Sequence, residues 1–359
     1  MADLMSATTD SSKLQNKYGN YMVPAVKIKA GGSDLVSTLR LTVLELEITL
    51  SLDSASMAVI KLADLCDVKN HSFTGKVKNA FKLGTIADVE IGYLSATVPV
   101  FRGYVAGLGI EFGKLPLLVI KLMDVRKLMM ASGVQRKLYE DKNYSDIFKK
   151  VMNGYSKLCS VVCDATSDNL TAPVSQSTND YIFVRNELLA GGKSDREFFV
   201  FFDKAYFRTP EKNKTPIMSM ELGKELIRFE MMADYLDTEI NVVGYDPLNC
   251  KEINEKVKTK TSEKYTPVLT PTPAQYIIDA DADTQAKAKN RAQAISRMEK
   301  MNVCFASGEL VGIPEIIPGR YIAVKDLDEM ADKKYYITEV RHIISESRFT
   351  TFFESRGWL

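Results

Sequence analysis

The chain has 359 residues, 45% of them apolar, which is enough for two or three domains with packed cores and excludes a disordered chain. Lys and Arg number 47 against 46 Asp and Glu, so a net charge of +1 offers no broad attraction for nucleic acid or anionic lipid, and no sequence-specific nucleic-acid binding is expected. The opening Met1-Ala-Asp-Leu-Met-Ser lacks the basic flank and apolar core of a secretory signal, so synthesis in a bacterial cytoplasm is expected. The most apolar stretch, Leu115 to Val125, is cut by Lys121 and Asp124 and is too short to span a bilayer, so no stable membrane insertion is expected.

Residues 1–18 are polar and rich in Ser and Thr, and predict a flexible arm that orders only against a neighbour. From Leu39 the pattern turns strand-like. Leu39, Leu41 and Val43 alternate with Arg40 and Thr42, then the phase steps and Leu46, Ile48, Leu50 and Leu52 alternate with polar residues. A one-residue step moves every side chain to the other face, so a bulge is expected at Val43-Leu44. Further strands are predicted at Met57–Leu62, Val89–Tyr93, Phe101–Leu108 and Leu117–Met123, with glycines near the turns, as in an antiparallel barrel or sandwich over 19–124.

The texture of 125–235 is mixed α/β. Ser145 is placed as the cap of a helix whose apolar face is Ile147, Phe148, Val151, Met152 and Tyr155. A second helix is predicted over Tyr181–Leu189 with Val184 and Leu188 inward, and Phe198–Phe202 reads as a strand buried on both faces. A third unit, 236–359, begins with a strand at Glu239–Tyr245. It is interrupted over 248–273 by interleaved Lys and Glu with Pro267, Pro271 and Pro273, read as a solvated loop. The helix over 281–301 carries Ala288, Ala292, Ile295 and Met298 on one side and acids near its start. Strands resume at Tyr321–Lys325, Lys334–Val340 and Phe349–Glu354.

The chain in this order resembles the phage late control D family and the N-terminal hub part of VgrG, which are similar to the hubs of T-even phages. The resemblance is carried by Leu83-Gly84, Val89-Glu-Ile-Gly-Tyr, Phe101-Arg-Gly-Tyr-Val and the strand ending at Asp124. Asn143-Tyr-Ser-Asp-Ile-Phe, Asn179-Asp-Tyr-Ile-Phe-Val-Arg and Leu222-Gly-Lys-Glu-Leu-Ile-Arg-Phe follow, then Val242-Val-Gly-Tyr-Asp-Pro, Gly312-Ile-Pro, Pro318-Gly, Tyr335-Tyr-Ile, Val340-Arg-His and Phe349-Thr-Thr. The resemblance implies a β-rich α+β fold, with two tail-tube-like antiparallel β-barrels, an α/β domain between them and a helix inserted in the second barrel region. It implies a baseplate hub, a homotrimer adapting a sixfold tail tube or tube initiator to a threefold spike, among other baseplate proteins of a virion or extracellular injection particle. Because the sequence ends at Gly357-Trp-Leu, where VgrG continues into a needle, the spike is expected to be a separate protein, with Trp358 and Leu359 near it.

Chemistry is sparse. His71 and His342 are the only imidazoles, and no nucleophile motif accompanies them, so His342 reads as a structural histidine and no catalytic residue is assigned. Gly191-Gly192-Lys193-Ser194 lacks the upstream Gly and the preceding strand of a phosphate-binding loop, and reads as a helix stop. Five scattered cysteines argue against a disulfide framework and read as small buried hydrophobes; Cys159 and Cys163 could share a helix face but lack further zinc ligands, so neither metal nor cofactor is expected. A cell-wall hydrolase carried by the same particle and a module binding cargo or toxin remain the alternatives.

Overall fold

The computed structural model describes residues 3–63, 66, 67, 72, 73, 75–261, 267–346 and 348–357. The β-rich α+β fold is built on one large, mostly antiparallel sheet that draws on both ends of the chain. Its opening half runs Thr42–Ser51, Met57–Ala63, Pro116–Met123, Ala96–Phe112, Ile86–Tyr93 and Pro24–Ala30, each strand pairing antiparallel with the next. Its closing half runs Lys334–Ser345, Phe349–Gly357, Cys304–Val311 and Leu226–Ala233. The halves are hydrogen-bonded to each other, because Glu339–Ser345 pairs antiparallel with Glu45–Ser51.

Period-2 patterning places the core. Leu46, Ile48 and Leu50 on one strand, Ala58, Ile60 and Leu62 on the next, and Leu118, Ile120 and Leu122 on the third all point to the same side and are buried. Each buried Leu or Ile side chain contributes about 1.5–3 kcal/mol relative to exposure. The expected phase step is present: pairing slips between Val43 and Glu45, leaving Leu44 as the extra residue of a bulge. The strand does not extend back to Leu39, however. Asp34 caps a short helix over Leu35–Leu39, and Arg40 turns left-handed to end it, so Leu39 and Leu41 serve a helix end instead of a strand.

The N-terminal arm is a correction of the same kind. Ser11–Lys17 is a helix capped by Asp10, and Met5, Leu14 and Tyr18 are buried in the main core. Its hold on the body is polar as well as apolar. The fully buried Arg320 donates to the carbonyls of Leu4 and Ala7, and Tyr18 and Lys17 both donate to Glu315. A Ser/Thr-rich composition conceals these few anchors.

The middle region has its own core of Val125, Met129, Ile147, Phe148, Val184, Leu188, Phe198 and Phe207. Its helix spans Tyr144–Met152 with Asn143 at the cap position; Ser145 lies inside the helix and is buried, accepting from the Thr166 amide. The predicted helix at 181–189 starts as α over Asp180–Phe183 and continues as a π-helix over Val184–Leu189, with Val184 and Leu188 inward. Cys159 precedes and Cys163 ends a strand, Ser160–Cys163, so they share no helix face, and Cys250 is exposed instead of buried.

The closing third differs most. Asp237–Asp246, which contains the predicted 239–245 strand, is not in the large sheet. It pairs antiparallel with Lys251–Lys260 and parallel with Ala274–Ile278, and the helix Gln285–Met301 covers this small sheet through Ala288, Ala292 and Ile295. The loop expected over 248–273 is therefore a strand in its first half. Ile253, Val257 and Thr259 alternate with Glu252, Lys256 and Lys258, an amphipathic period hidden by high charge. Pro216–Glu221 and Leu226–Ala233 lie before residue 236, yet they pair with Tyr321–Lys325 and Cys304–Leu310 of the closing half. No described helix is long and apolar enough to cross a membrane.

Candidate functional site

The side of the large sheet opposite the core is a mainly polar surface eight strands wide, from Leu226–Ala233 at one end to Ala96–Phe112 at the other, with Met232, Phe305, Phe352 and Val59 among its apolar members. Residues directly opposite in adjacent strands share a face, so the surface can be traced across the pairing. Glu230 stands beside Ser307, Ser307 beside Glu354, Glu354 beside Glu339, Arg341 beside Phe352 and Thr49, and Glu45 beside Lys61. Val59 and Gly107 then lead to Lys121. The seam at 45–51 and 339–345 carries the surface unbroken from one half to the other.

The charges form short local pairs. Arg228 donates to Glu230 at 2.8 Å, Arg348 to Glu309 at 2.9 Å, and Lys61 lies 3.2 Å from Glu45 and 3.8 Å from Glu111. Glu354 directly opposes Glu339, and the Glu339 carboxyl is held above its ordinary range, first by partial burial and then by that second carboxylate. Gly308 has a defined role beneath this belt. A Cβ there would lie 2.5 Å from the Phe353 ring and 2.9 Å from the Arg228 carbonyl, so only glycine lets the ring close the core at that strand crossing.

Both ends of the surface are unpaired edges among the described residues. The long strand loses its partner Ile86–Tyr93 after Tyr104, so Gly107–Phe112 pairs on one side only, in a hairpin with Pro116–Lys121. Leu108, Ile110 and Phe112 continue the core side of the sheet past its cover, and Ile110 and Phe112 are 53% and 74% exposed. At the other end Leu226–Ala233 pairs only with Cys304–Leu310 beyond the small bridge at Leu222, and Phe229 and Met231 lie on the core side with Arg228 and Glu230 outside. Phe229 and Met231 pack against the core, but unpaired edges of this kind are templates for strand pairing.

His342 is fully buried on the core side, its Nδ1 2.9 Å from the Thr351 hydroxyl, which itself accepts from the Ile313 amide. Burial pushes its pKa down to about 3, opposed only in part by a backbone hydrogen bond at Ile316. An unfolded histidine titrates near 6.5, so as pH falls the unfolded chain takes up the proton first. Stability from this residue is complete above about pH 6.5 and is lost toward pH 3, at no more than about 1.4 kcal/mol per pH unit. Urea midpoints compared from about pH 7 to about pH 4 are expected to fall less steeply in His342→Gln than in the parent; parallel slopes would refute a neutral buried imidazole.

His71, Trp358 and Leu359 lie outside the described residues. The preceding Gly357 pairs with Cys304 at the end of the last strand. Gly191-Gly192-Lys193-Ser194 forms the stop of the π-helical segment, its amides returning to Ala190 and Leu188 and Gly192 lying against Ala294, so it builds no phosphate cradle. Among the described residues no group of three or more His, Cys, Asp or Glu could hold a metal ion. What sequence reasoning missed is the eight-stranded surface itself; only the alternation of Glu45, Glu47, Thr49 and Ser51 on one strand signalled it.

The Alg8 N-terminal domain family model matches residues 20–346. No curated protein matches the chain. The fold is shared with a tail protein from Neisseria meningitidis, at a TM-score of 0.67 and 11% identity over 93% of this chain and 96% of the other. It is shared also with the 43 kDa tail protein of prophage MuSo2 from Shewanella oneidensis, at a TM-score of 0.66 and 14% identity over 92% and 98%. A type VI secretion system component from Escherichia coli, described as similar to the T4 tail proteins gp27 and gp5, aligns at a TM-score of 0.56 and 13% identity over 93% and 77%.

Proposed function

The chain belongs to the Alg8 N-terminal domain family, and from its fold and its sheet surface we propose that it is a structural baseplate hub of a phage tail or phage-tail-like injection particle. In this reading it is a trimeric adaptor between a sixfold tail tube and a threefold spike, not an enzyme. The fold shared with phage tail proteins and a secretion-system component supports the class of particle. One observation carries the adaptor role: the polar surface consists of two four-stranded halves, Leu226–Ala233 to Lys334–Ser345 and Thr42–Ser51 to Ala96–Phe112, joined at one seam and open at both ends. Three copies meeting edge to edge close the surface into a ring of six such halves, with the charged side facing the bore and neither end of the eight-stranded surface left unpaired.

Mass measurement in solution, alone and with the cognate spike protein, tests this. A trimer is expected at least in the complex; a single copy bound to spike would sink the adaptor reading. Gly357 ends the last strand, which lies between Cys304–Val311 and Lys334–Ser345, and we assign Trp358 and Leu359, next in the sequence, to the spike-facing side. Their deletion is expected to weaken co-purification of the spike while leaving the trimer intact, and unchanged recovery would remove that assignment.

A further inference from the structure

A cleft of about 410 Å³ opens where the middle region, the long helix and the closing half of the sheet converge, away from both edges of the polar surface. One wall is apolar and adaptable: Leu189 from the π-helical turn, and Met298 and Met301 from the last turns of the helix. A π-helical turn is rare and recurs at binding sites. The polar lining holds two carboxyls, Glu197 and Glu211, together with Arg196, whose Nη atoms donate to the carbonyls of Ala165, Ser194 and Asp195, and Arg297.

The two carboxyls have unequal partners. Glu197 accepts from the Tyr336 hydroxyl at 2.8 Å and from Arg208 Nε at 2.8 Å, and is charge-matched. Glu211 is 4% exposed and meets the Tyr321 hydroxyl, while its Oε1 has no donor among the described residues. The cations that influence it are Lys214 and Arg297, and Arg297 is already committed to Asp195. At the rim, Arg185 and Arg356 both lean on Asp53. A buried carboxyl with one oxygen unmet carries a desolvation cost that a hydrogen-bonding cation removes.

The geometry points to a receptor for an organic cation, a guanidinium or ammonium on an aliphatic stem, with its head against Glu211 and Glu197 and its stem along Met298, Met301 and Leu189. The same chemistry is presented by an Arg or Lys side chain of a docking protein and by a free alkyl cation. This site does not depend on the hub reading, and a monomer suffices to test it.

The test uses the full chain labelled at its methionine methyls, with the Met301 signal assigned by Met301→Leu. Butylguanidinium, an acetylated and amidated Gly-Arg-Gly peptide, and pentanoate are titrated separately. The Met301 signal is expected to move saturably with butylguanidinium and to need about tenfold more of it in Glu211→Gln. A stronger response to the peptide assigns the site to a protein side chain, and a stronger response to butylguanidinium to a free cation. No movement, equal movement in Glu211→Gln, or a response to pentanoate alone overturns the proposal. Because Glu211→Gln alters a buried position, a second measurement uses Met298, which is 42% exposed on the helix. Met298→Lys places a tethered ammonium at the cleft and is expected to block butylguanidinium and to melt above Met298→Glu; the reverse order also overturns the site.

Discussion

Replacing Asp124 with Ala is expected to destabilise the fold by about 3–5 kcal/mol, the range for breaking a buried ion pair by removing one partner. Arg126 and Asp124 are both essentially inaccessible, 2.7 Å apart. Asp124 caps the helix Val125–Ala131 by accepting from the Arg126 amide, and its other oxygen accepts from the Ser56 amide and Arg126 Nε. Arg126 continues to the Leu52 carbonyl and the Ser56 hydroxyl. Loss of the carboxylate leaves a guanidinium in the core with carbonyl and hydroxyl partners only, and unties the middle region from the turn at 52–56. Urea unfolding of Asp124→Ala against the parent measures this, with Ser56→Ala as a milder comparison at about 1 kcal/mol. A loss below about 1 kcal/mol for Asp124→Ala would show that water reaches the pair.

The second large effect concerns assembly. Ile110 and Phe112 stand exposed on the unpaired edge of the hairpin, so the double change Ile110→Lys, Phe112→Lys costs the isolated chain within about 0.5 kcal/mol. In a ring closed by edge pairing, the same lysines come to the core side of the neighbouring copy's Leu226–Ala233 edge, where Phe229 and Met231 pack on Tyr335 and an ammonium is poorly solvated. The expected result is a folded chain, unchanged in melting temperature, that no longer forms a trimer with spike present. A trimer that survives this double change would place the contact elsewhere on the chain. The ion pair on the outer side of the opposite edge is a weaker lever, because the side chains of Arg228 and Glu230 are 71% and 63% exposed and their attraction is screened by water.

The hub assignment rests on the surface, and the surface was partly legible. The alternation of Leu46, Ile48 and Leu50 with Glu45, Glu47, Thr49 and Ser51 stated both faces of one strand, and the phase step located the bulge at Leu44. The long helix was legible because alanines at helical spacing follow a capping Thr284, although it starts at Gln285 and not at Asp281. Lys251–Lys260 was not legible as a strand, because its inward residues are only Ile253, Val257 and Thr259 and its charges match those of a solvated loop. The Glu211 cleft was not legible at all, since Glu197, Glu211, Met298 and Tyr336 come from four separate segments.

Local order along the chain, then, was determined by the sequence through side-chain periodicity, which reports burial of one face without needing to know the partner. Partner choice was decided only by the tertiary structure. That Glu45–Ser51 pairs with Glu339–Ser345, that Asp237–Asp246 leaves the large sheet for a small one, and that Arg320 fastens the N-terminal segment are contacts between distant residues. Backbone hydrogen bonds are the same for every residue pair, so an alternating strand fixes its faces but not its neighbours, and the neighbours are selected by how the whole core packs.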